Sequence, residues 1–199
     1  MADTGAPHFI PYVEPTDLVR DYPAADEASA FAVAAALDAA GGLVAVKSAI
    51  FTGTQVASLA QAANVAVTDL SITHGVADAG NKLIISAFFG AAASTEARNG
   101  VGIAIHDGTG LIAIGDAASN RTRVTAGGGY LATDAGGMVI TPSVTFVHAP
   151  GDTASRTYTV RAINISGPQT IFINRTENDT DASGFPRAVS SLVIQEVKV

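Results

Sequence analysis

The chain has 199 residues, of which 48% are hydrophobic, and it carries a formal net charge of −7 at pH 7 without a single cysteine. This length can bury the core of one domain with a short appendage. Lysine and arginine are scattered, which argues against nucleic acid or an anionic membrane as partner, since both attract clustered cations. The lack of cysteine excludes disulfides, thiolate nucleophiles and cysteine-ligated metal centres.

Residues 1–20 are predicted to form an extended attachment arm. Pro7, Pro11 and Pro15 recur every four residues, and each removes an amide donor and disfavours helix at the residue before it. The first eight residues lack the basic and apolar segments of a secretory signal. The alternative is a disordered terminus, but the arm is too apolar for a purely solvated tail. We expect it to dock on another surface through Phe9, Ile10, Tyr12, Val13 and Leu18.

Residues 21–42 are predicted to be one short α-helix and a linker. Pro23 suits the first helical turn, and Gly41 and Gly42 end the helix. The stretch is interrupted by Asp38 and is shorter than the roughly 20 apolar residues of a membrane span, so we predict no membrane insertion. Its apolar stripe is rich in alanine, which buries little area, so the helix needs a partner.

Residues 43–199 are predicted to be a mainly β, antiparallel β-sandwich domain, with a jelly roll as the favoured topology. Short β-rich runs alternate with glycine, asparagine, aspartate and serine, without intervening helices. The sequences HDGTG (106–110) and GPQ (167–169) are predicted to be tight hairpin turns. Strands are predicted near 44–51, 54–59, 63–73, 82–89, 100–106, 110–115, 121–126, 137–147, 156–165, 169–174 and 189–198.

The strand predicted at 82–89 is apolar on both faces. Leu83, Ile85 and Phe89 point one way, whereas Ile84 and Phe88 point the other way. One face of a strand in a two-sheet sandwich is normally covered, so the second apolar face needs another cover. Either the N-terminal helix covers it or a neighbouring subunit does. We assign Ile84 and Phe88 to a predicted oligomer face.

No motif of catalysis or cofactor binding emerges, so we predict a protein that is not an enzyme and needs no cofactor. His74, His106 and His148 each end a strand, and no pair has the spacing of a metal site. The chain has no G-x-S-x-G and no phosphate-binding glycine motif. The acidic residues lie among turn formers, without the aromatic platforms of sugar-cleaving clefts.

Residues Asp179, Asp181, Ser183 and Gly184 follow the order D-x-D-x-S-G, which is how a calcium loop begins. The twelfth position of such a loop holds Ser190 instead of a bidentate acid, and a predicted strand precedes the loop where an EF-hand needs a helix. An EF-hand is therefore excluded. A different calcium loop and a plain turn-rich connection both remain open, and we predict no metal.

The segments YTVRAIN and TIFINRTENDTDASGFPRAVSSLVIQEV resemble the closing strands of a β-sandwich domain common in tailed-phage virion proteins. In that family a strand ending in I-N-R runs into a polar loop, and a final S-S-hydrophobic strand ends in an acid. The matching residues are Ile173, Asn174, Arg175, Ser190, Ser191, Leu192 and Glu196. VTDLSITHGVADAGNKLIISA resembles the family's early strands, and PHFIPYVEPTDLVRDYPAADEASAFAVAAALD is similar to the attachment segments of phage fibres.

The resemblance implies a non-enzymatic virion component, made in the host cytoplasm: a tail fibre, head fibre or capsid decoration protein. Its partners would be copies of itself, with a trimer favoured, other virion proteins, and a host-surface glycan. The alternative function is a carbohydrate-binding module. Such modules stack exposed aromatic rings on sugars, whereas the phenylalanines here lie mostly within apolar strand runs.

Overall fold

The computed structural model describes residues 42–95, 100–128 and 139–199, and this part of the chain is built of antiparallel strands without a helix. The predicted arm (1–20) and helix (21–41) lie outside the described residues. The strands are β1 (Leu43–Phe51), β2 (Gln55–Leu59), β3 (Asn64–His74), β4 (Lys82–Phe88), β5 (Ala92–Ser94), β6 (Val101–His106), β7 (Leu111–Ile112), β8 (Ala126–Gly128), β9 (Ser143–His148), β10 (Arg156–Asn164), β11 (Gln169–Ile173) and β12 (Ser190–Val197).

The strands form three sheets. The four-stranded sheet has the order β1-β12-β4-β9, and the five-stranded sheet has the order β3-β10-β6-β7 with β8 also paired to β6. The third sheet, β2-β11-β5, has three strands. Every pairing between the strands is antiparallel. This mainly β, antiparallel architecture is consistent with the predicted sandwich.

One hydrophobic core joins the three sheets, because the strands alternate between inward apolar and outward residues. In β12 the inward residues Leu192 and Ile194 are fully buried. Tyr158, Val160 and Ala162 of β10 face inward too, as their alternation predicted. The same cluster includes Ile171 and Ile173 of the three-stranded sheet. Backbone amides are thereby paired in ladders while large side chains leave water.

The predicted strands agree with the structure for the long runs and differ at short ones. β5 was not predicted, because its Ala-Ala-Ser sequence has no β-branched or aromatic residue. The strand predicted at 110–115 is confined to Leu111–Ile112, and the one predicted at 121–126 lies instead at Ala126–Gly128. Part of the predicted strand 137–147 lies outside the described residues.

The two predicted hairpin turns have different outcomes. HDGTG does join the paired strands β6 and β7, and Gly108 takes the positive φ of 95° that such a turn requires. The prediction for GPQ was wrong, because β10 pairs with β3 and β6 whereas β11 pairs with β2 and β5. The turn at Gly167 therefore passes the chain from one sheet to another.

Gly90 is predicted to be intolerant of any side chain. A Cβ at this position would fall against the backbone of Val189 and the side chain of Ala188, and backbone cannot move aside as a flexible side chain can. Gly90→Ala should therefore lower the free energy of unfolding by about 1–3 kcal/mol in a denaturant titration. The matched control is Gly184→Ala, whose Cβ would meet open space. Equal effects of the two substitutions would contradict the packing at Gly90.

Candidate functional site: buried cross-links and an apolar outer face

In the D-x-D-x-S-G loop, one arginine side chain binds both carboxylate oxygens of Asp179, an arrangement called here the arginine fork. Arg187 donates from Nε to Oδ1 of Asp179 over 2.7 Å and from Nη2 to Oδ2 over 2.6 Å. Arg175, whose guanidinium lies 5.1 Å from the centre of the Phe172 ring, approaches Oδ2 of Asp179 at 3.4 Å. Asp179 thus accepts two hydrogen bonds from one guanidinium group, which is the bidentate geometry in which arginine best matches a carboxylate. Both of its oxygens are therefore engaged by arginine.

The strand-end histidines do not converge. His106 accepts a hydrogen bond at Nδ1 from the Gly108 amide over 2.9 Å, within the β6–β7 turn. His148 packs edge-on against Tyr158, with ring centroids 5.8 Å apart, and burial lowers its pKa. His74, at the end of β3, contacts Glu196 of β12 and belongs to a separate hydrogen-bond network. Within residues 42–95, 100–128 and 139–199, no group of three or more histidine or acidic side chains is arranged to hold a metal.

Asp107 serves the β6–β7 turn. Its Oδ1 accepts hydrogen bonds from the amides of Thr109 and Gly110 and from the Thr109 hydroxyl, at 2.7–3.0 Å. Burial acts to raise the pKa of Asp107, but these hydrogen bonds outweigh it and lower the pKa to about 2. The carboxylate is therefore held in its charged form as part of a turn, where it is already occupied by donors from its own loop.

Two asparagines, one at the end of β10 and one just after β11, bind backbone carbonyls at the ends of other strands. Asn174, fully buried after β11, donates from Nδ2 to the Phe51 and Gly53 carbonyls over 2.7 and 3.0 Å. The Ser190 hydroxyl donates to Oδ1 of Asn174 over 2.5 Å. Asn164, fully buried at the end of β10, donates in the same way to Leu59 and Ala60. In both cases the asparagine follows an isoleucine at the end of a strand, and its side-chain amide satisfies carbonyls at the end of another strand.

Glu196, the acid of the last strand, is buried with a full set of donors. Its Oε1 accepts from the Ala77 amide over 2.7 Å and from Nδ2 of Asn81 over 2.6 Å, and its Oε2 meets Nε2 of His74 at 2.9 Å. Because an ionised carboxylate only accepts, this network assigns a proton to Nε2 of His74. Glu196 therefore fastens the 75–81 segment and the end of β3 to β12.

The two larger sheets have unlike outer faces. On the five-stranded sheet the outward residues include hydroxyl pairs that bridge β3 and β10: Ser71 with Thr159, and Thr73 with Thr157, each at 2.9 Å. On the four-stranded sheet apolar and polar outward side chains alternate: Gln195 lies between Val46 and Ile84, and Ser191 lies between Ile50 and Phe88. We define its apolar outer face as Val46 and Ile50 of β1, Val193 of β12, Ile84 and Phe88 of β4, and Val147 of β9, which the strand registers place on one side.

The apolar outer face contains both residues of the predicted oligomer face. Ile84 and Phe88 point away from the core, as the alternation of β4 predicted, and Phe88 remains 41% exposed. Val46, Ile50, Val147 and Val193 were not predicted to belong to this face. The signal was available in β1 and β12, where apolar residues also occupy both faces of one strand. The predicted attachment residues, Phe9, Ile10, Tyr12, Val13 and Leu18, lie outside the described residues.

Comparisons with known proteins assign no family. No protein-family model matches the chain, and no curated protein is significantly similar to it. The described part contains no helix long and apolar enough to cross a membrane.

The loop at Asp179 is predicted to be insensitive to calcium. Because Arg187 occupies both carboxylate oxygens and Ser190 stands at the twelfth position, adding calcium or EDTA should leave the melting temperature unchanged. A calcium ion bound only to the folded state at about 100 times its Kd would stabilise it by about 2.7 kcal/mol, which a thermal melt detects readily. In Arg187→Ala the guanidinium of Arg175 still lies 3.4 Å from Oδ2 of Asp179 and Ser190 still stands at the twelfth position, so this variant should show no calcium-dependent shift either. A calcium-dependent shift in the unaltered protein would contradict the arginine-fork interpretation.

Loss of the Glu196 charge should reduce stability at neutral pH more than in acid. Burial acts to raise the pKa of Glu196, but hydrogen bonds from Asn81, Ala77 and His74 outweigh it and lower the pKa below its ordinary value. A lowered folded-state pKa stabilises the protein above the unfolded-state pKa, and this contribution disappears as pH falls through the folded value. Glu196→Gln should therefore cost about 1–3 kcal/mol at pH 7 and progressively less in acid.

Urea titrations across this pH range measure the difference between Glu196→Gln and the unaltered protein. Asp181→Asn, which removes an exposed carboxylate, is the matched control and should leave the profile nearly unchanged. A constant difference in unfolding free energy from pH 7 down to pH 3 would show that the charge of Glu196 does not contribute.

Proposed function

We propose that the chain is a non-enzymatic structural component of a bacteriophage virion, a tail fibre, head fibre or capsid decoration protein. Its N-terminal segment would anchor it, and a jelly-roll sandwich would project for particle decoration or host-surface attachment. The observation that supports this best is the structural use of the residues by which the chain resembles such proteins. Asn174, Ser190 and Glu196 form buried cross-links between strands and segments rather than an exposed reactive site.

The jelly-roll topology is supported by the order of strand pairing. If the three-stranded sheet and the short strand β8 are set aside, β1 pairs with β12, β3 with β10, β4 with β9, and β6 with β7. These pairs join the first strand to the last, the second to the next to last, and so on inward. A long hairpin wound into two facing sheets has this pairing, and that winding produces the two Greek keys of a jelly roll.

The polar chemistry of the described part also fits a structural role. The carboxylates of Asp107, Asp179 and Glu196 accept hydrogen bonds from their own surroundings, so they stabilise turns and strand ends. We propose a homo-oligomer, with a trimer as the expected form, and other virion proteins as further partners. A host-surface glycan is the proposed external ligand if the projecting domain attaches the particle to its host.

The function is tested by deleting residues 1–20. Because the described sandwich has its own core from β1 to β12, the shortened chain should remain soluble and melt cooperatively as a β protein. It should no longer enter particles assembled in its presence, since the predicted arm would be missing. Circular dichroism measures the fold, and immunogold labelling of purified particles measures incorporation.

A full-length variant with Phe9, Ile10 and Tyr12 replaced by serine is the matched control for chain length. It should fold normally and fail to incorporate, because the docking residues rather than the length are lost. If the shortened chain does not fold, the arm belongs to the core. If both variants incorporate as well as the unaltered protein, or if the unaltered protein never enters particles, the proposed function is wrong.

A further inference from the structure

The end of β9 places a histidine inside the sandwich. His148 pairs directly with Leu83 of β4, and directly paired residues of neighbouring strands point to the same side of a sheet. Leu83 is fully buried, so the side chain of His148 points toward the core. There its ring packs edge-on against Tyr158 of β10, which is 1% exposed. This contact joins the last strand of the four-stranded sheet to the five-stranded sheet.

One ring nitrogen of His148 is buried without a partner. Within the part of the chain that the structure describes, Nε2 has no hydrogen-bond partner and is shielded from solvent. A neutral imidazole has one donor nitrogen and one acceptor nitrogen, whereas both nitrogens of an imidazolium are donors. Protonating Nε2 would therefore bury a charged donor without an acceptor, which costs more than burying an unpaired neutral nitrogen. The folded chain accommodates the neutral ring better than the cation.

Two charged groups act on His148 in opposite directions. Asp107, in the β6–β7 turn, favours protonation, whereas the guanidinium of Arg156, at the start of β10, opposes it. Arg156 donates from Nη2 to Asp152 over 2.7 Å, which fixes the guanidinium at this end of the core. Burial is the largest influence, and together with Arg156 it outweighs Asp107, so the pKa of His148 lies below its ordinary value.

The other titratable side chains at this end of the core are bonded or uncharged. The strand registers place Glu196 of β12 in one row with Leu83 and His148, but Glu196 is bound to His74 of β3. Burial raises the pKa of Tyr158, so its hydroxyl stays neutral in acid. The balance at His148 is therefore set by its burial, by Asp107 and by Arg156, as described above.

The end of β9 is less firmly held than its beginning. In the described residues β9 is the last strand of its sheet and its ladder is to β4. Just before it, the Phe89 amide donates to the Pro142 carbonyl over 3.0 Å, and Ala92 and Ile140 exchange two backbone hydrogen bonds. After His148 the chain enters the mostly exposed 149–155 connection. Segments with few buried contacts open locally more easily than strands inside a sheet.

We propose that the contact between His148 and Tyr158 is an acid-sensitive latch, which holds the end of β9 to β10 and releases it when His148 is protonated. This inference goes beyond the proposed function and does not depend on it. In the open form the ring reaches water, where both nitrogens of the imidazolium find acceptors. The latch is therefore a conformational device that responds to pH through one side chain.

The sign and the range of the response follow from linkage. Because the pKa of His148 is lowered in the closed form, the open form binds more protons once the pH falls below the ordinary histidine value of 6.5. The closed form is fully favoured above that pH and loses its advantage as the pH falls toward the lowered value. Glu196 acts in a separate range, since the ordinary pKa of its carboxyl is 4.5.

Hydrogen exchange on the full chain measures the opening. The protection of an amide is its exchange rate in an unstructured peptide divided by its rate in the protein at the same pH. Protection at the end of β9 should fall by up to about tenfold between pH 6.5 and 5.5, because at most one proton is taken up in this range. Protection in β11, which pairs with β2 and β5 in another sheet, should stay constant. An equal fall in both strands would overturn the proposal, since the opening would then be global.

Two variants separate His148 from the other histidines. His148→Phe keeps a ring beside Tyr158 but cannot be protonated, so protection at the end of β9 should no longer depend on pH. His106→Asn, the matched control, removes a histidine from the β6–β7 turn while keeping an acceptor for the Gly108 amide, and it should respond like the unaltered protein. A fall in protection that persists in His148→Phe, or that is absent from the unaltered protein, would overturn the proposal.

Nuclear magnetic resonance supplies a second measurement that needs no variant to fold. The ring signals of His148 in the unaltered protein should titrate at lower pH than those of a histidine in an unstructured peptide. Titration at the ordinary value or above it would show that the closed form does not disfavour the cation, and the latch would be wrong. If His148→Phe does not fold, His148→Gln, which also cannot be protonated in this range, takes its place in the exchange experiment.

Discussion

The buried amide of Asn174 is the contact on which the arrangement of the sheets depends. Its Nδ2 binds the end of β1 at Phe51 and Gly53, its Oδ1 accepts from Ser190 at the start of β12, and its backbone amide donates to Ala91 over 2.7 Å. It takes a positive φ of 61°, a conformation that asparagine adopts more readily than most residues. One residue thus joins the end of the four-stranded sheet to the end of the three-stranded sheet.

Two other buried polar side chains also link separate segments of the chain through hydrogen bonds. Asn164 repeats the device at the end of β10, and Glu196 fastens the 75–81 segment to β12 with three donors. A buried polar group with all of its partners restricts the chain to one arrangement, whereas the same group with a partner missing is costly. Polar and acidic residues such as Asn164 and Glu196 therefore help to specify this one fold.

The outer faces of the sandwich separate stability from interaction. Inward residues of all three sheets form one core, and the outer apolar residues are not among its buried members. Their exposure is a cost in water that a surrounding hydroxyl pattern, like that of the five-stranded sheet, would have avoided.

The sequence by itself determined the fold class, most strand positions and the faces to which the residues of β4 and β10 point, because alternation is a local property of a pleated chain. It identified Ile84 and Phe88 as outward residues in this way, and it recognised the Asp-Gly turn. Only the tertiary structure decided that β10 and β11 separate into different sheets, that Arg187 binds Asp179, and that Val46, Ile50 and Val147 lie on the same side of one sheet as Ile84. These outcomes depend on which distant strands become neighbours, and that choice is made by the packing of the whole core and not by any local pattern.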